Sequence, residues 1–218
     1  MNKKHGLPEG EIGRIGIAIA PSNPKRIYAK VEATKNKLYR SDDGGENWYV
    51  INDNPRFTNN RPFYFQELAV DTKDPNRLYN IYQPLSVSYD GGKTFDPEPM
   101  IPADETKGIH ADFHAFWVNP NDPQHFIIGG DGGLGITHDH GKSWYFPETI
   151  PVAQFYHVGV DYDTPFNVYG GMQDNGNWSG PAYTWKRGGI RTLYWQYLVG
   201  GDGFYISPDK DNSRFGYG

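Results

Sequence analysis

The hydrophobic residues of this chain fall in short runs that turn-forming residues separate. Aromatic and β-branched residues dominate these runs, and apolar stripes at helix spacing are hard to find. Several of these runs come directly after a turn that contains Asn, Asp or Thr and ends in proline. Each turn follows the end of an earlier apolar segment, as in Val70 to Pro75. The pattern therefore predicts an all-β fold, with strands after these turns at 26–31, 77–82, 125–129 and 167–172.

A second pattern, eight residues long, occurs three times downstream of these strands. It reads hydroxyl, any, Asp, any, Gly, any, any, Trp or Phe, and its copies begin 47 and then 49 positions apart. This spacing is the length of one four-stranded propeller blade. The shared positions of the three boxes are Ser41, Asp43, Gly45 and Trp48; Ser88, Asp90, Gly92 and Phe95; and Thr137, Asp139, Gly141 and Trp144.

The two patterns together predict a β-propeller of four-stranded antiparallel blades. Each unit reads as strand one, proline turn, strand two, loop, strand three, box and strand four. Closed propellers have about four to eight blades, and a half blade leaves exposed ladder edges. We therefore expect residues 1–218 to be one incomplete propeller and a fragment of a larger protein. The predicted blades are 12–53, 63–99, 110–149, 154–187 and a partial fifth at 200–218.

Composition and charge exclude several classes of partner. The chain has 26 acidic and 21 basic residues, a net charge of -5, and no Lys/Arg-rich stretch, so we expect no nucleic-acid partner. Without cysteine, it has neither disulfides nor a Cys-ligated zinc. No apolar run is long enough to span a bilayer, and the first ten residues lack the apolar stretch of a signal peptide. No cofactor is expected.

The boxes are predicted to be structural. The Asp43, Asp90 and Asp139 carboxylates can accept hydrogen bonds from backbone N–H groups of their own turns. The box glycines permit positive φ, and the terminal aromatic rings fill space between strands. Calcium binding or catalysis is the weaker interpretation, because each box offers a single carboxylate.

Chemically richer residues are predicted at the opposite rim. Strands alternate in direction, so proline turns and boxes share one end of each blade, whereas the loops between strands two and three and between blades share the other. Polar groups that converge at one end of a channel indicate a binding site. The catalytic candidates are Asp131, Asp174 and Asp202, each among glycines, and the ligand-binding candidates are His110, Asp112, His114, Gln173, Asn175 and Trp195.

His110, Asp112 and His114 form the sharpest local constellation. Counted along a predicted first strand, they share one face and lie about 7 Å apart. Such a group could transfer protons or bind a divalent metal, or it could be a hydrogen-bonded polar lining. The spacing is wide for one ion, so no metal site is expected.

Aromatic residues are dense in the fourth blade and just after it, where no box is present. Rings of this kind can stack on sugar faces or on peptide side chains, or they can pack between strands. The residues are Trp178, Tyr183, Trp185, Tyr194 and Trp195.

The three boxes resemble the Asp-box, or bacterial neuraminidase repeat, of propellers in sialidases, xyloglucanases and sortilin-type domains. Longer glycine-rich blocks, such as 129–133 and 200–204, are similar to bacterial sortilin-like proteins that are labelled as glycosyl hydrolases. In xyloglucanases the catalytic acid and base lie on two propellers that face one another. The resemblance makes Asp131 the nearest positional analogue of one of them, with its partner outside this chain.

The resemblance implies two alternative functions. The first is a secreted bacterial glycoside-hydrolase-like propeller that binds or hydrolyses an extracellular glycan at the rim opposite the boxes. It would be secreted, periplasmic or at the cell surface. The second is a non-catalytic, sortilin-like propeller that binds a peptide or protein, although the chain lacks the cysteines of the module that follows the propeller in true sortilins.

Overall fold

A computed structural model describes residues 5–59, 61–96, 100–101, 109–147, 150 and 152–218. It divides the chain into two compact units, Met1–Phe146 and Pro147–Gly218, here called the N-terminal and C-terminal units. In the described part of the chain, no helix combines the length and apolar character needed to cross a membrane.

The N-terminal unit contains three antiparallel sheets whose strands follow one another in chain order. The first strands of neighbouring sheets contact each other, β1 with β5 and β5 with β8. This is the arrangement of successive propeller blades. The elements are β1 (Ile12–Ile19), β2 (Ile27–Ala33), β3 (Lys37–Ser41), β4 (Tyr49–Asn52), the short helix α1 (Pro55–Thr58), β5 (Glu67–Val70), β6 (Leu78–Ile81), β7 (Leu85–Ser88), β8 (Phe113–Val118), β9 (Phe126–Gly130) and β10 (Gly133–Thr137).

The C-terminal unit contains a four-stranded sheet and a two-stranded sheet, again in chain order. Their first strands, β11 and β15, are in contact. The strands are β11 (His157–Val160), β12 (Asn167–Met172), β13 (Gly176–Pro181), β14 (Gln196–Val199), β15 (Ser207–Pro208) and β16 (Gly216–Tyr217), and a 3₁₀ helix spans Thr192–Tyr194.

The predicted all-β fold of antiparallel propeller blades is confirmed, with four described strands in the first and fourth sheets and three in the second and third. The strand predicted at 167–172 has the bounds of β12, and the other three differ from β2, β6 and β9 by one or two residues. The fourth blade is longer than the predicted 154–187, because its last strand begins only at Gln196. The residues between β13 and β14 lack the compact box that made this turn predictable in the other blades.

The core of the N-terminal unit lies between adjacent sheets. Tyr28 and Leu38 of the first sheet pack with Val70 and Leu78 of the second, and Phe95 closes the same cluster. A second cluster joins the second and third sheets, where Tyr79 contacts Phe116 and Phe126. Apolar burial between faces of neighbouring blades is therefore the main stabilising term in this unit.

The three boxes form the same hydrogen-bonded turn. Asp90 accepts hydrogen bonds from the Ser88 hydroxyl at 2.8 Å, the Thr94 backbone N–H at 2.9 Å and the Thr94 hydroxyl at 2.7 Å. Asp43 and Asp139 accept the equivalent bonds. These bonds lower the pKa of Asp43 and of Asp139 to about 2. Each carboxylate is thus held ionised as a support for its own turn.

Candidate functional site

The glycine-rich loop after β9 brings two separate backbone segments into contact. A Cβ atom on Gly130 would lie 2.5 Å from the Asp112 carbonyl oxygen, and one on Gly132 would lie 2.4 Å from the His110 backbone nitrogen. Only glycine allows this approach. The Asp131 N–H then donates to the Asp112 carbonyl oxygen at 3.3 Å, which fixes the loop beside the start of β8.

The prediction that His110, Asp112 and His114 share one strand face is wrong. β8 begins at Phe113, so only His114 lies in the strand. Asp112 has a φ of 66°, the left-handed conformation that aspartate tolerates better than most residues. This turn breaks the alternation along the strand on which the prediction depended. Asp112 and His114 nevertheless lie near the same glycine-rich loop after β9. The turn at Asp112 brings them there, and the alternation of residues along a strand does not.

Asp112 is the buried acid of this region. It is 7% exposed, and its Oδ1 has no hydrogen-bond partner among the described residues. Its Oδ2 lies 4.0 Å from Nη1 of Arg61, whose charge compensates part of the cost of burying the carboxylate. A carboxylate oxygen of Asp112 lies within 4.8 Å of one of Asp131. A buried, incompletely satisfied acid beside a second acid is typical of a functional site.

His114 presents its imidazole toward the same place. Its ring stacks on Phe65, with centroids 5.0 Å apart and planes at 13°, and Tyr64 packs edge-on at 4.7 Å. The Nε2 atom lies 3.8 Å from Oδ1 of Asp131 and has no hydrogen-bond partner among the described residues. Aromatic packing therefore holds the ring so that Nε2 can bond to a ligand next to Asp131.

Arg61, Asp112, His114 and Asp131 are here called the Asp131 site. Asp131 and His114 each have 30% of their side-chain surface exposed, whereas Asp112 has 10% of its side-chain surface exposed. Carboxylate and imidazole groups can exchange hydrogen bonds with sugar hydroxyls or transfer protons. Carboxylate and imidazole groups are also ligands that divalent cations bind.

The C-terminal unit contains a second cluster of predicted residues, at the turn between β12 and β13. Asp202 accepts a hydrogen bond from the Asp174 backbone N–H at 3.1 Å. Tyr156 donates to the side-chain oxygen of Gln173, and the Asn175 amide donates to the Gln173 carbonyl at 2.8 Å. Asp174 has a φ of 57°. The Asp202 carboxylate thus supports the turn that presents Asp174.

Trp195 lies apart from this cluster. It packs over Gly180 and stacks on Phe155 with centroids 5.9 Å apart. Gly180 and Gly176 are at opposite ends of β13, so Trp195 lies roughly 13 Å along the strand from the Asp174 turn. The structure does not bring Trp195 together with Gln173, Asp174 or Asn175, and its ring acts in packing.

Sequence reasoning missed the residues that orient His114. Phe65 is 1% exposed and lies under the imidazole, and Tyr64 closes its edge. Both belong to the aromatic run Phe63 to Phe65, which was a usable signal for a packed segment. Their partner could not be identified, because the contact joins residues about fifty positions apart.

Comparison with known proteins gives one curated relative and several solved structures. No family model matches the chain. The chain is 25% identical over 163 residues to the oligoxyloglucan-reducing end-specific xyloglucanase of Emericella nidulans. The match covers 67% of this chain and 19% of that enzyme, so the chain spans about a fifth of the length of this relative.

Two solved structures are similar to most of this chain at low sequence identity. The GH74 enzyme of Niastella koreensis has a TM-score of 0.49 and 16% identity, over 88% of this chain and 25% of its own. YCF48 from Cyanidioschyzon merolae has a TM-score of 0.45 and 17% identity, over 83% of this chain and 54% of its own. These similarities assign no role to any residue of this chain.

Proposed function

We propose that this chain is part of a glycoside-hydrolase-like propeller and that it binds a glycan at the Asp131 site. The observation that carries the proposal is the pair of unsatisfied buried atoms, Oδ1 of Asp112 and Nε2 of His114, in residues that both lie close to the accessible Asp131. A buried polar atom without a partner costs free energy, so two of them beside one accessible carboxylate indicate a functional rather than a stabilising arrangement. The xyloglucanase relative supports a glycan as the ligand class.

We assign the chemical step to Asp131. Glycoside hydrolysis needs one carboxyl group to protonate the glycosidic oxygen and another to act on water or on the sugar, at about 5 to 9.5 Å separation. Asp112 is 7% exposed and one of its carboxylate oxygens lies within 4.8 Å of one of Asp131, so a sugar ring cannot lie between the two side chains. Asp112 instead acts as a positioning residue, and the second carboxylate comes from another surface, as the resemblance to xyloglucanases implies.

The three box turns support the Asp-box assignment. In all three, the hydroxyl of the first residue donates to the aspartate and the glycine N–H donates to that hydroxyl. We infer that these turns are scaffold and that the protein acts outside the cytoplasm, on an extracellular glycan. Cell fractionation that recovers the full-length protein in the cytoplasm would contradict this location.

The function is tested by glycan binding and by release of reducing sugar. The protein, both as this chain and at full natural length, is titrated with xyloglucan and other β-glucans, and the products are assayed. Asp131→Asn should lower sugar release by roughly 10²- to 10⁴-fold, since it removes a proton-transfer group. Asp96→Asn, at an exposed aspartate of the second blade, is the matched control and should leave release unchanged.

The outcomes separate binding from catalysis. Wild-type binding without release would contradict hydrolysis and leave a glycan-binding role for the Asp131 site. Unchanged release by Asp131→Asn would contradict the assignment of the chemical step. Binding of peptides but of no glycan would favour the sortilin-like alternative.

A further inference from the structure

The connection between strands three and four differs in the fourth blade. In each of the first three blades a box starts at the last residue of strand three, at Ser41, Ser88 or Thr137. Between β13 and β14 the chain has residues 182–195 instead, without a box. In repeat proteins, a loop that departs from the repeat is a frequent place for binding. We call residues 182–195 the β13–β14 loop.

This loop exposes aromatic rings that pack against each other rather than into a core. Trp185 is 88% exposed and Tyr183 is 51% exposed. Their ring centroids lie 4.9 Å apart with planes at 82°, so the two rings form a corner. Trp178 and Trp195, by contrast, pack on the sheet. Of the aromatic residues predicted in this region, Tyr183 and Trp185 are thus exposed to a ligand, whereas Trp178 and Trp195 are packed.

The same loop is positively charged in a negatively charged chain. Lys186, Arg187 and Arg191 all lie in it, and no acidic residue occurs between Asp174 and Asp202. The three basic residues are exposed and form no salt bridge within the described part of the chain. The chain as a whole has a net charge of -5. Among the described residues, no acidic side chain pairs with the positive charge of this loop.

The loop conformation is defined by internal contacts. Gly188 and Gly189 have φ values of 98° and 72°, which let the chain turn back after Arg187. The Gly189 N–H donates to the Lys186 carbonyl at 3.3 Å, and the Lys186 ammonium lies 5.4 Å above the Tyr194 ring. The three cations thus lie in the same short loop as the Trp185 corner.

We propose that the β13–β14 loop is a binding surface for an anionic polysaccharide. The Trp185 and Tyr183 rings stack on a pyranose ring, and Lys186, Arg187 and Arg191 pair with its carboxylate or sulfate groups. Stacking and charge pairing act on the same sugar unit. The surface is distinct from the Asp174 turn, since the two lie at opposite ends of β13. It binds without a chemical step and takes only the glycan class from the proposed function.

Affinity gel electrophoresis tests the proposal with three polymers: polygalacturonate, dextran sulfate and neutral dextran. One or both anionic polymers should retard the wild-type chain, and the neutral one should not. Trp185→Ala should weaken binding by about 3- to 10-fold through lost stacking. The double variant Arg187→Ala/Arg191→Ala should weaken it more than about tenfold at low salt and less at high salt. Preference for polygalacturonate or dextran sulfate identifies the anion as carboxylate or sulfate.

The controls are exposed residues of the same unit. Tyr162 is 78% exposed between two aspartates, and Lys210 has 75% of its side chain exposed. Tyr162→Ala and Lys210→Ala should each leave retardation at the wild-type value.

Three results would overturn the proposal. They are no retardation by either anionic polymer, retardation that Trp185→Ala does not change, and polyaspartate bound as tightly as the polysaccharides. The last result would assign an acidic polypeptide partner. Sugar release that depends on Asp131 is a separate readout, so a failure here and a failure of the proposed function are distinguishable.

Discussion

Lys30 is a buried base that the proposed chemistry does not use. It lies in β2 with 3% exposure, and its ammonium nitrogen donates to Asn80 Oδ1 at 2.8 Å. Burial, opposed by the charge of Glu67 and reinforced by that of Arg14, lowers the pKa of Lys30 to about 7. A lysine with such a pKa makes the stability of the first two blades sensitive to pH.

The sign of this dependence follows from the two pKa values. Between about pH 7 and 10.5 the unfolded chain binds a proton at Lys30 that the folded chain does not, so the free energy of unfolding rises with pH in this window. From pH 6.5 to pH 9.5, the free energy of unfolding of the wild type should rise by roughly 1–3 kcal/mol more than that of Lys30→Met. Urea denaturation at the two pH values measures this. Lys25→Met, at an exposed lysine, should follow wild type.

At the scale of the element, the box of the second blade does more than close a hairpin. Gly92 has a φ of 86°, and a Cβ atom there would lie 2.6 Å from Ile51 Cδ1 and 3.0 Å from Leu38 Cδ2. Ile51 and Leu38 belong to the first blade, whereas Gly92 belongs to the box of the second. The box therefore packs one blade on the next, and glycine provides the space as well as the backbone conformation.

Two glycines distinguish the need for a positive φ from the need for space between blades. Gly44 has a φ of 80° but no atom within 4 Å of a Cβ placed there. Gly44→Ala should lower the free energy of unfolding by about 1–2 kcal/mol through backbone strain alone. Gly92→Ala should lower it by a further ~1–3 kcal/mol through overpacking. Thermal and urea unfolding measure both variants. Equal losses would show that Gly92 does not act as a contact between blades.

Element boundaries also show where sequence periodicity is sufficient. The bounds of β12 follow directly from an apolar run between a proline turn and a Gln-Asp-Asn-Gly turn. β8 does not, because the left-handed Asp112 interrupts the apparent alternation His110, Asp112, His114. A polar residue in the left-handed region leaves the period-two pattern intact in the sequence while turning the chain.

For the molecule as a whole, the two units differ in how much core they have. The three clusters of buried hydrophobic residues found among the described residues all lie within the N-terminal unit. The described C-terminal unit contributes two buried hydrophobic side chains, Tyr169 and Ile206, and it exposes Val152 and Tyr162 by 78% each.

We therefore expect the two units to behave differently when separated. A chain of residues 1–146 should unfold cooperatively, since it retains its clusters between blades. A chain of residues 147–218 should show little cooperative unfolding, because too little apolar surface is buried to offset the conformational entropy of folding. Circular dichroism melts of the two chains measure this. Cooperative melting of 147–218 alone would contradict the expectation.

The sequence by itself determined the all-β class, the order of strands within each blade and the hydrogen bonds of the box turns. These features depend on neighbours within a few residues, as with Ser88, Asp90 and Thr94, so local chemistry is sufficient to specify them. The sequence also identified Asp112, His114 and Asp131 as site candidates, because polar residues among glycines and strand ends stand out from the repeat.

Only the tertiary structure decided how these residues meet and which aromatic rings remain available. Phe65 reaches His114 and Gly132 accommodates His110 through contacts between segments that are distant in the chain, and a linear pattern does not encode such contacts. Trp185 and Trp195 look alike in sequence, yet the first is exposed and the second lies over Gly180. The physical reason is that burial is set by packing against surfaces that residues distant in the chain supply.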